Sequence, residues 1–126
     1  MTDPLSEALR LQQDAAGQGF DWRELDELWH KLAEEIGELQ AAVPQGVDRV
    51  RDELGDLLFM AVNLARHLRV DAGQALMQAN NKFERRFGHI LKHLDQLPPL
   101  GHPQRLDAME ALWQEAKRHE RRQGPA

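Results

Sequence analysis

The chain has 126 residues, no cysteine and a net charge of -5. This length suits one domain with a sizeable hydrophobic core, and the lack of cysteine excludes disulfides and thiolate metal sites. The acidic balance argues against nucleic-acid binding, and no apolar run reaches the roughly 20 residues that a membrane span requires. The first residues lack the pattern of a signal peptide, so we expect a cytoplasmic protein without nucleic-acid or membrane partners.

The predicted elements are helices throughout, because no segment alternates β-branched and polar residues with period two. Asp3 and Pro4 open a first helix that ends at Gly17. Asp21 is the predicted N-cap of a second helix, and Pro44 follows its end. Its apolar stripe repeats every 3.6 residues and consists of Leu25, Leu28, Trp29, Leu32, Ile36, Leu39 and Val43.

Three more helices are predicted after residue 46. Asp48 is the expected N-cap of the third, whose residues 57–68 are apolar on most sides and should be buried. Asp71 caps a fourth helix, whose apolar stripe extends to Leu94. A last helix begins near Gln104, after a proline-rich loop.

These elements predict an all-α helical bundle, because short connections favour antiparallel neighbours. We expect a single domain over residues 1–126, with a frayed tail at about 121–126.

Carboxylates three positions apart recur on the second and third helices. Glu35 and Glu38 form one pair, Glu53 and Asp56 the other, and each pair lies on one helical face. Antiparallel packing would bring all four together. Two unit charges ~4 Å apart repel by roughly 4 kcal/mol at an effective dielectric near 20. A hard divalent cation, Mg²⁺ or Mn²⁺, is therefore expected between them, the alternative being an ordinary solvated acidic face.

Other metal sites fit the sequence less well. A di-iron bundle would need two Glu-x-x-His motifs, and the chain has one, from Glu27 to His30. The six histidines show no spacing typical of zinc ligands. On the third helix Met60, Asn63 and His67 share the face that carries the acids.

A basic segment on the fourth helix suits phosphate binding. Lys82 and Arg86 lie four positions apart beside the apolar stripe, as a phosphate clamp would require. Arg85 should point elsewhere and is equally consistent with a solvated face. A glycine-rich phosphate loop is absent from the sequence.

Together these motifs resemble the MazG family of all-α nucleoside triphosphate pyrophosphohydrolases. The order is Glu-Glu-x-x-Glu, then Glu-x-x-Asp, then Lys-Phe-x-Arg-Arg-Phe. The likeness covers nearly the whole chain. The chain is similar to the C-terminal catalytic domain of the members that have two domains. We expect the chain to differ from these members in having one domain, and its connection over residues 41–48 is short.

The resemblance implies hydrolysis of (deoxy)nucleoside triphosphates to the monophosphate and pyrophosphate, for nucleotide-pool control or house-cleaning. It implies Mg²⁺, or Mn²⁺ in its place, bound by Glu35, Glu38, Glu53 and Asp56, with Glu34 orienting or deprotonating the attacking water. The implied substrate-binding residues are Lys31, Asn63, Asn80, Lys82, Arg85, Arg86 and Trp113, with Phe20 and Trp22 as weaker candidates.

The resemblance also implies a homo-oligomer, a dimer or a dimer of dimers, in which subunits share helices. The base and sugar preference stays open, including canonical nucleotides, damaged nucleotides and a guanosine alarmone. Two other functions stay open as well: a non-catalytic metal-binding helical interaction module and a carboxylate-bridged redox bundle.

Overall fold

In the computed structural model, which describes residues 3–123, every regular element is helical. The α-helices are α1 (Pro4–Gly17), α2 (Leu25–Ala42), α3 (Val47–His67), α4 (Ala72–Leu91) and α5 (Arg105–Gln123). Short 3₁₀ turns occur at Val43–Gln45 and Leu94–Gln96. The predicted all-α fold is confirmed. None of the helices in this part of the chain is both long enough and apolar enough to cross a bilayer.

Two of the four predicted helix caps are present. The Asp3 carboxylate accepts a hydrogen bond of 3.1 Å from the backbone N–H of Ser6, and the Asp71 carboxylate accepts one of 2.8 Å from Gln74. Each satisfies a backbone donor that the first helical turn leaves without a partner.

The other two predicted caps are wrong. α2 begins after Glu24, where the Glu27 carboxylate accepts hydrogen bonds from the backbone N–H groups of Arg23 and Glu24. Asp21 instead contacts α3. α3 begins after Gly46, whose φ of 106° favours glycine, and Asp48 lies within its first turn.

One predicted boundary also differs: α4 ends at Leu91, so Leu94 lies in the following 3₁₀ turn. α5 continues to Gln123, and residues 124–126 lie outside the described range. The frayed tail at about 121–126 stays a prediction.

The chain divides into two compact units at Leu76 and Met77. In the first unit, α3 packs against both α1 and α2, and the buried apolar side chains include Leu28 and Met60. In the second unit, the remainder of α4 precedes α5, with Ile90 and Ala116 buried. The expectation of a single domain over the whole chain stays a prediction.

The predicted burial of residues 57–68 is wrong for the single chain. Leu58 is 56% exposed and Phe59 is 40% exposed, whereas Met60 and Val62 are buried. α3 therefore has one face in the core of its unit and another that is apolar and accessible.

Candidate active site

Five carboxylates cluster where α2 and α3 pack along each other. The two helices are joined by residues 43–46, three of which form a 3₁₀ turn, so their directions reverse and positions about equally far from the connection meet. Glu35 and Glu53 are two such positions, and both are buried in a part of the fold where acidic side chains are rarely found.

Ligand distances within this cluster suit a metal ion. Glu35, Glu38 and Glu53 each offer an oxygen atom within 4.8 Å of the others, and so do Asp52, Glu53 and Asp56. Glu53 belongs to both groups and links them. The structure thus brings the four expected ligands into one cluster and adds Asp52, which was not predicted. Asp52 lies four residues before Asp56 and therefore on the same side of α3. This spacing is the feature of the sequence from which Asp52 could have been predicted.

Two cations partly neutralise the acids. The Lys31 ammonium lies 3.2 Å from Glu34 and 3.6 Å from Glu35. On α3, the Arg49 guanidinium donates to Glu53 over 2.8 Å and to Asp52 over 3.3 Å. Arg49 was not predicted at the site, and Lys31 contacts both Glu35 of the cluster and the adjacent Glu34.

Unpartnered oxygens remain despite these ion pairs. Glu35 Oε2 and Glu53 Oε2 are buried, and neither has a hydrogen-bond partner among the residues described. A buried charged oxygen without a partner is costly. Oxygen-only donors, two of them buried and unpaired, fit a hard divalent cation such as Mg²⁺.

Electrostatic repulsion is visible at Glu38. The negative charge of Glu35, then desolvation and the charge of Glu53, raise the pKa of the Glu38 carboxyl above its ordinary value of 4.5. Glu38 forms no ion pair with any described residue. It is therefore the member of the cluster that would gain most directly from a bound cation.

An apolar pocket lies further along the same face of α3. Its volume is about 350 Å³, within the range of small-molecule sites. The lining residues come from α1, the segment before α2, and α3, and they are Leu11, Gln12, Ala15, Phe20, Asp21, Trp22, Phe59, Met60, Asn63 and Arg66. Met60 lies four residues after Asp56 and Asn63 seven, so the pocket follows the acids by about one to two turns, roughly 6–10 Å.

Few polar groups line this pocket, and hydrogen bonds fix the orientation of two of them. Asn63 is buried; its Oδ1 accepts a 2.8 Å hydrogen bond from Arg66, and its amide nitrogen contacts Met60 Sδ at 3.7 Å. Gln12 donates to the Phe59 carbonyl oxygen over 2.9 Å, while its Oε1 is buried without a partner among the described residues. Gln12 gave no signal in the sequence, because a glutamine within an amphipathic helix is ordinary.

Asp21 fastens the segment before α2 to α3. Its carboxylate accepts hydrogen bonds of 2.7 and 3.0 Å from the Arg66 guanidinium and lies 3.0 Å from His67 Nε2. These contacts, Arg66 first, hold the pKa of the Asp21 carboxyl well below its usual range. Trp22, directly after this anchor, lines the pocket, whereas Phe20 is 84% exposed at its edge.

The predicted phosphate-binding residues lie in the second unit. Arg86 donates to both carboxylate oxygens of Glu120, with contacts of 2.9 to 3.2 Å, and Arg85 donates to Glu120 over 3.1 Å. The expectation that Arg85 points away from Arg86 is therefore wrong. Lys82 and Asn80 are exposed, and Lys82 forms no ion pair with another described residue.

Trp113 packs beside Arg86 and Phe83. Its ring centroid lies 5.5 Å from that of Phe83, and the Arg86 guanidinium lies 5.6 Å from the Trp113 ring. The aromatic face and the Glu120 ion pair together fix the Arg86 side chain on α4.

Comparison with known proteins matches residues 23–91 to the MazG nucleotide pyrophosphohydrolase domain. The chain is 41% identical over 121 residues to a nucleoside triphosphate pyrophosphohydrolase of Escherichia coli, covering 92% of this chain and 45% of that protein. It is 34% identical over 113 residues to the nucleoside triphosphate pyrophosphohydrolase/pyrophosphatase MazG of Thermotoga maritima, covering 90% and 44%. The chain thus spans less than half the length of these relatives.

Proposed function

Because the chain belongs to the family of MazG nucleotide pyrophosphohydrolase domains, we propose that it hydrolyses (deoxy)nucleoside triphosphates to the monophosphate and pyrophosphate. The observation that carries the proposal is the pair of buried, unpartnered oxygens of Glu35 and Glu53 within a cluster of carboxylates. A purely structural cluster would hold these oxygens in hydrogen bonds or ion pairs. The names of the similar proteins support the same reaction.

Glu35, Glu38, Glu53 and Asp56 would hold Mg²⁺, or Mn²⁺ in its place, with Asp52 close to the last two. When bound, such an ion stabilises negative charge on phosphate oxygens and lowers the pKa of coordinated water. Binding of the cation would relieve the electrostatic repulsion between these four carboxylates. Lys31 and Arg49 would remain beside the cluster and keep Glu34, Glu35 and Glu53 oriented.

The reaction needs a base close to the acids. The oxygen of water forms a bond to the α-phosphorus while the bond from that phosphorus to the α,β-bridging oxygen breaks, and pyrophosphate leaves. We propose that Glu34 accepts the proton that the attacking water loses. Glu34 is exposed, adjoins Glu35 in the chain and is oriented by Lys31 at 3.2 Å. A positioned carboxylate of this kind contributes typically 10²- to 10⁴-fold to rate.

The nucleoside would occupy the pocket that follows the acids along α3. Its walls are apolar enough for a base, and Asn63 and Gln12 offer polar atoms for a sugar or base edge. Trp22 supplies an aromatic surface there. Lys82, Arg85 and Arg86 are proposed to bind the triphosphate tail, with Asn80 and Trp113 as further substrate contacts. A phosphate bound by the arginines would compete with Glu120 for their guanidinium groups.

The test is an initial-rate panel of canonical and modified (deoxy)nucleoside triphosphates, and a guanosine alarmone, with Mg²⁺ or Mn²⁺, in which both products are identified. We expect monophosphate and pyrophosphate in equal amounts, and no turnover in EDTA. Calcium should support turnover poorly, because its looser coordination fits in-line attack less well. Release of orthophosphate alone, or turnover in EDTA, would contradict the proposal. Metal binding without any turnover would instead indicate a non-catalytic metal-binding module.

A further inference from the structure

A second group of metal-ligating side chains lies on α4 and α5, within the second unit. α4 carries His89 and His93, four residues apart, and α5 carries Glu115 and His119 with the same spacing. Residues four apart share a helical face, so each helix presents two potential ligands side by side. The histidine spacing in the sequence predicted no zinc site, whereas the structure groups His89 of α4 with Glu115 and His119 of α5.

The distances between these ligand atoms are close to those in a metal site. Ligand atoms of His89, Glu115 and His119 all lie within 4.8 Å of one another. His89 Nε2 lies 3.3 Å from Glu115 Oε1, and His119 Nε2 lies 3.9 Å from the same oxygen. Two ligands of a tetrahedral Zn²⁺ with bonds of about 2.0–2.1 Å are about 3.4 Å apart. Closing the group around an ion therefore requires movements of these ligand atoms on the order of 1 Å.

Hydrogen bonding does not account for the position of His89. Its Nε2 is buried and has no hydrogen-bond partner among residues 3–123, even though Glu115 Oε1 is near, because the contact is poorly directed. The His89 side chain is 17% exposed and His119 is 48% exposed. An ion could therefore reach the buried nitrogen past His119.

The hydrogen bond of His93 leaves its Nε2 available as a further ligand. Its Nδ1 lies 2.8 Å from the His89 carbonyl oxygen. A carbonyl oxygen only accepts, so Nδ1 carries the proton and the lone pair of the neutral ring is on Nε2. The His93 and His89 ring centroids are 4.7 Å apart. A backbone carbonyl that fixes the tautomer of a histidine in this way is the usual second partner of a metal-binding imidazole.

We propose that His89, Glu115 and His119 bind a transition-metal ion, with Zn²⁺ the expected occupant and His93 Nε2 or water as fourth ligand. Imidazole ligands favour Zn²⁺ and similar ions over Mg²⁺, which prefers oxygen donors. The site is thus chemically distinct from the carboxylate cluster of α2 and α3. Its ligands come from two helices, so the ion clips α5 to α4 and stabilises the folded second unit.

An ion bound between α4 and α5 would also restrain the residues close to it. Glu120, adjacent to His119 in the chain, pairs with Arg85 and Arg86. Trp113, two residues before Glu115, packs on Phe83. An ion at this site therefore holds the register of α5 against the arginines of α4, whatever the reaction at the acids.

The experiment is calorimetric titration of ZnCl₂ into the EDTA-stripped 126-residue chain, in buffer with millimolar Mg²⁺ to occupy the carboxylate cluster. We expect one Zn²⁺ per chain. His119→Ala should weaken binding at least about tenfold, because removal of even an outer partner of a metal ligand costs about 10- to 100-fold. His119 is half exposed, so this variant should fold; His89→Ala should show the same loss.

Two controls separate this site from others. His30→Ala removes an exposed histidine of α2 and should bind Zn²⁺ as the wild type does, and Glu53→Gln, in the carboxylate cluster, should as well. Histidine ring NMR signals of His89 and His119 should shift on titration, while those of His30 and His102 should not. Equal Zn²⁺ affinity in the wild type and His119→Ala, or affinity lost only in Glu53→Gln, would overturn the proposal.

Discussion

Glu38 is the residue at which electrostatic repulsion and the proposed function are most directly linked. It carries a raised pKa and faces Glu35 and Glu53 without a cationic partner of its own in the described chain. Glu35 and Glu53, by contrast, each contact a cation. Removal of the negative charge at Glu38 therefore separates a catalytic effect from a structural one more cleanly than removal at its neighbours.

Glu38→Gln should lower kcat by on the order of 10²-fold or more if this carboxylate serves the reaction. In EDTA at neutral pH, the same variant should melt at a higher temperature than the wild type. A pKa raised in the folded state means that the wild type is relatively most stable below the ordinary value of 4.5 and loses that stability as the pH rises through the folded-state pKa. The difference in melting temperature should thus vanish at acidic pH.

Glu84→Gln, at an exposed position of α4, is the matched control and should change neither quantity. A lower melting temperature for Glu38→Gln in EDTA would show that Glu38 is a structural partner.

Asp21 shows the opposite electrostatic behaviour. Asp21→Asn should lower the free energy of unfolding by roughly 1–2 kcal/mol, because it breaks a bidentate, partly exposed pair with Arg66. The pKa of Asp21 is lowered in the folded state, so this stabilisation is present above the ordinary value of 3.8 and is lost as the pH falls below it. Urea unfolding at several pH values measures the difference between variant and wild type.

Asp14→Asn removes a carboxylate from a more exposed pair with Arg10 and should cost less than about 0.5 kcal/mol. Equal losses in both variants would mean that the Asp21 pair has no special role in fastening the segment before α2.

At the scale of elements, α3 unites the proposed reaction and recognition. One face carries Glu53, Met60 and Asn63, all buried, and its spacing was readable in the sequence. The pocket was not, because its other wall comes from α1 and from the segment that Asp21 anchors. Similarly, a helical wheel placed Arg85 away from Arg86, but a carboxylate on a different helix draws both side chains together.

Lys82 offers the clean test of the α4 phosphate clamp. Lys82→Ala should weaken binding of a non-hydrolysable nucleoside triphosphate by roughly 10- to 150-fold, the equivalent of a charge-assisted hydrogen bond of about 1.5–3 kcal/mol. Binding of the monophosphate should change much less. Calorimetric titration of both nucleotides gives the comparison.

Lys92→Ala, at an exposed position directly after α4, should leave both affinities unchanged. Arg86→Ala is expected to act in the same direction as Lys82→Ala but also breaks the Glu120 pair and the contact with Trp113. Equal losses for triphosphate and monophosphate in Lys82→Ala would place Lys82 outside the clamp.

At the scale of the whole molecule, the single chain leaves apolar side chains accessible on two neighbouring helices. Leu54 and Leu58 lie four residues apart on α3, and Trp29 and Ile36 are exposed on α2. We predict a homodimer at least, with each site lined partly by the partner. An obligate interface of this kind buries more than about 2,000 Å² in total.

Sedimentation at micromolar concentration should therefore show a species of at least twice 14.4 kDa. Leu58→Glu should shift it towards the monomer, because a buried unpaired charge opposes association, whereas Leu106→Glu, at an exposed position of α5, should not. A folded, active 14.4 kDa wild type would contradict the prediction.

The sequence by itself determined the all-α fold and the grouping of the acids. Helical periodicity and the caps at Asp3 and Asp71 are local, so they can be read without a structure. The gathering of Glu35 with Glu53 followed from two i,i+3 pairs on either side of a short connection. Each inference needed only helix geometry and one reversal of direction.

The tertiary structure alone decided the contacts between charged groups that lie far apart in the chain. It placed Asp21 on Arg66 instead of at a helix start, brought Arg85 and Arg86 to Glu120, and brought His89 to Glu115. Such contacts depend on the packing of helices against each other, and no local pattern records them.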